Sequence, residues 1–222
     1  RHTGEEVSVA EHAVALILAC ARRLAEADRA VRGGEWGARV RLVGVELRGK
    51  SLGVIGFGAI GREVARIMRN GFGMRVLAYD PYVPDDVFKQ LGAERVDLDR
   101  LLRESDVITI HVPLTDETRG MLSAERISLI KPGAILVNTS RGAVIDEEAL
   151  YRALSEGRVS YAGLDVFERE PPTGSPLLGL PNVVLTPHVA AFTREALRRM
   201  DMANAEDLVR FFRGEKPLRL AN

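Results

Sequence analysis

The chain has 222 residues, enough for one large domain or for a domain with a piece of another. Lys+Arg and Asp+Glu both number 31, so a formal charge of zero gives no long-range pull toward DNA, RNA or an anionic membrane. The single cysteine, Cys20, excludes an intrachain disulfide and fits a reducing cytoplasm.

Near the N-terminus, Ala13 to Ala21 is a continuous apolar run. Glu5, Glu6 and Glu11 precede it where a secretory signal needs positive charge, and Arg22-Arg23 interrupt it well short of a membrane span. The run therefore predicts a buried helix. Ser8, with Glu11 three residues on, reads as a capping box at its start. His12 and Cys20 read as packing residues of that helix. Gly33-Gly34 marks a loop.

The pattern then changes. Ser51 to Ile55 is a short apolar run that meets glycines at once, which predicts a buried strand. Helical periodicity runs from Arg62 to Asn70, and Gly71-Phe72-Gly73 stops it. Further strands are predicted at 74–79, 107–112, 134–138, 161–167 and 183–186. Helices are predicted at 97–104, 123–130, 146–155 with Asp146 as cap, and 193–213. The proline-rich stretch 170–176 predicts a loop. Alternation of short strands with helices predicts an α/β fold, a doubly wound parallel sheet with helices on both faces.

Gly56-Phe57-Gly58-Ala59-Ile60-Gly61 has G-x-G-x-x-G spacing between a predicted strand and a predicted helix, the setting of a Rossmann-type dinucleotide site. Gly56 suits a tight turn, Gly58 a close backbone approach to a pyrophosphate, and Gly61 close packing of helix on strand. The N–H groups at the helix start then face the phosphates. Asp80 ends the next predicted strand, where an acid can bond the adenosine ribose hydroxyls. A carboxylate there repels a 2′-phosphate, so the cofactor reads as NAD rather than NADP.

Three more segments stand at predicted strand ends: Asn138-Thr139-Ser140-Arg141-Gly142, Gly163 to Pro171, and Leu185-Thr186-Pro187-His188. Together with Gly56 to Gly61 and the opening Ser8-Val9-Ala10-Glu11-His12, they resemble the D-2-hydroxyacid dehydrogenase family, which includes D-3-phosphoglycerate dehydrogenase and the glyoxylate and hydroxypyruvate reductases. The similarity runs from about Ser8 to the C-terminus. It implies that Arg141 binds the substrate carboxylate, that His188 is the general acid/base, and that Glu170, which directly precedes a proline, pairs with that histidine. It places Asp165 beside the nicotinamide carboxamide, Arg62 at the pyrophosphate, Val112, Pro113 and Thr118 along the adenine or phosphate wall, and Thr139 on the cofactor side. His111, in His111-Val112-Pro113-Leu114, reads as structural.

These residue types suit a 2-oxo acid. A guanidinium can hold a carboxylate and the adjacent ketone in one fork of donors. A protonated histidine can donate to the ketone oxygen as negative charge develops on it, and a neighbouring carboxylate favours that protonated form. Taken singly, Arg141, Glu170 and His188 would each read as an ordinary surface or capping residue. No His, Cys, Asp or Glu grouping has metal-ligand spacing.

The family usually carries a longer N-terminal segment that forms most of a substrate domain. The expectation is accordingly of a fragment or a late-started reading frame, with 7–190 as the NAD-binding domain and 191–222 as a helical piece of a largely missing substrate domain. Such a fragment is expected to bind NAD, to turn over substrate poorly, and to expose an apolar face on its last helix. Two alternatives stand beside a dehydrogenase for a small 2-hydroxy or 2-oxo acid: an NAD-binding scaffold or corepressor-like module, and a formate or phosphite dehydrogenase. The apolar first helix needs cover, and the family resemblance implies a two-fold homodimer.

Overall fold

The structure, a computed structural model, describes residues 4–218; His2 and the last four residues of the expected 191–222 segment lie outside them. Seven parallel strands form one sheet in the order β3-β2-β1-β4-β5-β6-β7. They are β1 (Ser51–Ile55), β2 (Arg75–Tyr79), β3 (Ala93–Arg95), β4 (Val107–Ile110), β5 (Ala134–Asn138), β6 (Val159–Leu164) and β7 (Val183–Leu185). The order reverses between β1 and β4, which is where open α/β sheets place their ligands.

Side chains alternate across β1. Leu52 and Val54 pack with α1 (Glu6–Ala21) and α3 (Ala59–Phe72) on one face. Ile55 joins the other face, with α5 (Leu98–Glu104), α6 (Ala124–Leu129) and α7 (Glu147–Ser155). Strands buried on both faces read as continuous apolar runs, which is why β1, β4 and β5 were predictable. Asp97 and Asp146 cap α5 and α7 by accepting from Arg100 N and Ala149 N, and Gly73 ends α3 in the left-handed region at φ 65°.

Some elements differ from the prediction. The Ser8 capping box is a correction: α1 already begins at Glu6, and Ser8 lies buried within it with its hydroxyl 2.8 Å from Thr193 Oγ1. A Ser-x-x-Glu pattern inside a helix looks the same as one at its start. Missing from the prediction were α2 (Leu24–Arg32), α4 (Asp85–Gln90) and the edge strand β3. The first buries only Ala30, the second has six residues, and the third has three with a single buried side chain, so none carries an apolar period. The last helix, α8 (Arg194–Phe212), is capped by Thr193 and buries only Ala196. Met202, Leu208, Phe211 and Phe212 are all more than half exposed, giving the expected apolar face. Among the described residues no helix is long and apolar enough to cross a membrane.

Candidate active site

The glycine loop is built by close approach. Gly56 sits at φ +90°, and a Cβ there would lie 2.6 Å from His111 O. A Cβ at Gly61 would lie 2.1 Å from Gly56 O, so only glycine lets α3 start this close to β1. Gly58 is the N-cap of α3, gives no side-chain cap, and has open space where a side chain would be. The first-turn N–H groups of Ala59, Ile60 and Gly61 thus lack a cap at the positive end of the helix. Arg62 lies beside them, its Nε donating to Gly58 O at 3.1 Å.

A cleft of about 560 Å³ opens between this loop and the end of β2; Gly56, Gly58, Asp80, Val112, Pro113 and Thr118 line it. The Asp80 carboxylate accepts from Phe57 N at 2.8 Å and from Tyr82 N at 2.9 Å, so it also ties the glycine loop to the loop after β2. The Thr118 hydroxyl donates to Pro113 O at 2.6 Å and closes the turn after β4. Ala59 and Arg62 line a separate depression beside the helix start.

A second cleft, about 520 Å³, adjoins the first through His111, Val112 and Pro113. Ile60, Thr139, Arg141 and His188 line it. Thr139 Oγ1 is buried without a hydrogen-bond partner among the described residues. His111 Nε2 lies 2.8 Å from Thr109 Oγ1, and burial pushes its ring pKa down to about 3. It is therefore a neutral ring at the seam, not a competing acid/base.

Three loops bring the predicted catalytic residues together. Asn138 shapes the first: its amide donates to Arg141 O at 2.9 Å, and its Oδ1 accepts from Ser140 N at 2.9 Å and Ser140 Oγ at 2.8 Å. That turn projects the exposed Arg141 into the cleft. The next residue, Gly142, fits so closely that a Cβ would lie 1.8 Å from the Phe167 carbonyl carbon. The Arg141 turn is thereby pressed onto the loop that carries Glu170. Glu147, at the start of α7, fixes the same loop by accepting from Glu168 N at 2.5 Å. Glu170 Oε1 accepts from Phe167 N at 3.1 Å, and Oε2 lies 2.8 Å from His188 Nδ1. A carboxylate can only accept, so Nδ1 carries the proton and Nε2 is left for other chemistry.

His188 holds a left-handed backbone at φ 55°, a conformation that costs a non-glycine residue on the order of 1–3 kcal/mol. Its N–H donates to Asp165 O at 2.9 Å, and the Asp165 carboxylate accepts from Val189 N and Ala190 N, both at 2.9 Å. Asp165 was expected beside the nicotinamide, but it has no exposed surface; its oxygens hold the His188 loop, and it lines neither cleft. Burial pushes its carboxyl up, but the bonds from His12, Thr186 and the two loop N–H groups outweigh that and hold it below the usual carboxylate range. His12 is a second correction. It is not a core packing residue, because its Nε2 reaches Thr186 Oγ1 at 3.0 Å. Asn138, Gly142, Glu147 and Thr186 were not singled out from sequence: Gly142, Glu147 and Thr186 each act through a neighbour that only the fold brings near, and Asn138 through a local turn.

The arrangement fits a dinucleotide. An open Gly58, an uncapped helix start and an acid at the end of β2 suit the adenosine and pyrophosphate, and the orphaned Thr139 hydroxyl faces the second cleft. Residues 14–190 match the model of the D-isomer specific 2-hydroxyacid dehydrogenase NAD-binding domain. The chain belongs to this family. It is 50% identical over 212 residues to the D-3-phosphoglycerate dehydrogenase of Archaeoglobus fulgidus, covering 95% of this chain and 40% of that protein. It is 50% identical over 219 residues to the glyoxylate reductase of Korarchaeum cryptofilum, covering 97% of this chain and 66% of that protein. The structure of D-lactate dehydrogenase from Aquifex aeolicus, complexed with NAD and lactic acid, superposes with a TM-score of 0.86 at 41% identity, covering 94% of this chain and 67% of that one. The chain thus spans 40% and 66% of the length of these two curated relatives. As a member of this family it has the fold of an NAD-binding domain, a seven-stranded parallel Rossmann-type sheet.

Proposed function

We propose that this chain binds NAD(H) and carries the acid/base chemistry that interconverts a small D-2-hydroxy acid and its 2-oxo acid. The observation that carries the reading is the 2.8 Å contact between His188 Nδ1 and Glu170 Oε2, with His188 on the same cleft as Arg141. Gly56, Gly58, Ala59, Ile60, Gly61 and Arg62 would hold the pyrophosphate, Asp80 the adenosine ribose, Val112, Pro113 and Thr118 the adenine side, and Thr139 the nicotinamide side. Asp165 serves that side through the loop it anchors. When bound, NADH supplies the hydride that reduces the 2-oxo carbon.

The protein's own residues do the rest. Arg141 holds the substrate carboxylate with a fork of N–H donors and so fixes the ketone's orientation. His188 presents protonated Nε2 to the ketone oxygen and gives up that proton as charge develops there; in the reverse direction neutral Nε2 takes it from the hydroxyl. Glu170 keeps the Nδ1 proton in place and balances the imidazolium. The relatives named glyoxylate reductase, hydroxypyruvate reductase and D-3-phosphoglycerate dehydrogenase support a small 2-oxo acid as substrate.

We read 7–190 as the NAD-binding domain and 191–222, which contains α8, as a segment of a substrate-binding unit. Support for a homodimer comes from a run of exposed apolar residues, Val31, Trp36, Val40 and Val43. A cytoplasmic setting is supported by the single free cysteine. A second reading, an NAD-binding module without turnover, is favoured by the openness of the pair: the His188 side chain is 50% exposed. Titrating NADH fluorescence and then adding glyoxylate, hydroxypyruvate or pyruvate separates the two. Turnover supports the dehydrogenase; binding without turnover supports the module.

A further inference from the structure

A polar path runs from helix α1 to the backbone of His188. The Thr186 hydroxyl lies 2.5 Å from Asp165 Oδ1, and an ionised carboxylate can only accept, so the one hydroxyl proton points at Asp165. Toward His12, 3.0 Å away, Thr186 Oγ1 is then the acceptor. His12 Nε2 must carry a hydrogen, which also aims at Asp165 Oδ1 at 3.5 Å. From Asp165 the path continues to Val189 N, Ala190 N and, through the Asp165 carbonyl, His188 N. His12 and Asp165 are 153 positions apart in the chain, and their ring and carboxylate meet only because α1 packs against β6 and β7. Val9, one turn before His12, lines the second cleft.

We propose that His12 is a positioning residue for the reaction: its Nε2–H, relayed through Thr186 to the buried Asp165 carboxylate, holds the strained backbone that aims His188 at the substrate. The strain explains why such a relay is needed. At φ 55° His188 pays a conformational cost that its own side chain does not relieve, since the imidazole is turned outward to Glu170. The opposing bonds run from His188 N to Asp165 O and Thr186 O, and from Val189 N and Ala190 N to the Asp165 carboxylate, and a carboxylate with no exposed surface keeps its share of them only while its own charge is compensated. Loop N–H groups supply part of that compensation, and the donors from Thr186 and His12 supply the remainder. The relay also makes α1 part of the site: a shift of that helix against the sheet would be felt at the acid/base.

The proposal rests on the dehydrogenase reading for its catalytic consequence but not for its geometry, so the test has two arms. In the first, long-range proton–nitrogen correlation of uniformly labelled protein assigns the ring tautomers, with His12→Gln and His188→Gln variants identifying the signals. The relay requires a hydrogen on His12 Nε2, and His188 ring signals that move in His12→Ala but return toward wild type in His12→Gln, whose amide restores a donor. In the second, His12→Ala lowers turnover of a 2-oxo acid on the order of tenfold to a hundredfold, as expected for a misplaced catalytic group, and leaves the Kd for NADH within about twofold. His12→Gln recovers most of the loss. A bare Nδ1–H tautomer, unmoved His188 signals in His12→Ala, or equal impairment of the two variants overturns the relay. Absence of turnover in the wild-type chain overturns the dehydrogenase reading and leaves the first arm to decide the relay.

Discussion

Gly142 and Phe167 meet backbone to backbone, so closely that a methyl group on Gly142 would sit 1.8 Å from the Phe167 carbonyl carbon. This contact joins the turn that presents Arg141 to the loop that presents Glu170, and so ties together the two loops that carry these residues. Gly142→Ala cannot be absorbed by a flexible side chain, since the obstacle is main chain. The expected loss is about 2–4 kcal/mol of stability, read as a lowered midpoint in urea unfolding. A midpoint equal to wild type would mean that the two loops are free to separate.

Removing the Glu170 carboxylate while keeping its shape isolates its chemical role. Glu170→Gln is expected to lower turnover on the order of a hundredfold or more with NADH affinity unchanged, because the side chain meets His188 and Phe167 but lines neither cleft. Steady-state kinetics beside an NADH fluorescence titration reads both quantities. Loss of both together would point to collapse of the loop rather than loss of the pair.

The glycine loop was legible in sequence because its spacing encodes sterics. A strand followed by Gly56, Gly58 and Gly61 has few uses other than a tight turn, a bare backbone and a close helix. Arg141, Glu170 and His188 stood out in sequence only as a set, at the ends of three strands and in the family's order, and the structure brings the loops that carry them together. What remained hidden were residues whose meaning lies in a distant partner. His12 looks like a core residue because helical periodicity reports burial, and nothing near it announces Thr186 or Asp165. The family resemblance places Asp165 beside the nicotinamide, and nothing near it in sequence announces that its oxygens also accept from Thr186 and from the loop that follows β7. Asn138 shapes the Arg141 turn through bonds that span two and three residues, a local pattern that any strand-ending asparagine could make.

Acid should destabilise the protein through His111. Burial holds its ring at about 3 in the folded chain, whereas an unfolded histidine takes up its proton near pH 6.5. Between those values the unfolded state binds a proton that the folded state refuses, so stability falls as pH drops from about 6.5 toward 3, with a slope from this one ring of at most about 1.4 kcal/mol per pH unit. His111→Gln should flatten that slope. Urea midpoints for both proteins at pH 7 and pH 5 provide the check, and parallel losses would contradict the assignment.

Cys20 gives an independent view of how tightly α1 is held. Its thiol is 2% exposed, and burial pushes its pKa up to about 12. Alkylation of the native protein at neutral pH should therefore proceed only as fast as α1 opens, and urea at the unfolding midpoint should accelerate it sharply. Rapid labelling without denaturant would show that α1 is loosely docked, which would also undercut the relay from His12.

Single-turnover NADH oxidation with glyoxylate, hydroxypyruvate and pyruvate, in wild type and His188→Gln, bears most directly on the central claim. The account predicts oxidation of NADH with at least one of these acids in wild type, and a loss on the order of a hundredfold or more in His188→Gln with NADH still bound. Oxidation at an unchanged rate in His188→Gln, or NADH that stays bound and unoxidised in wild type with all three acids, would contradict it.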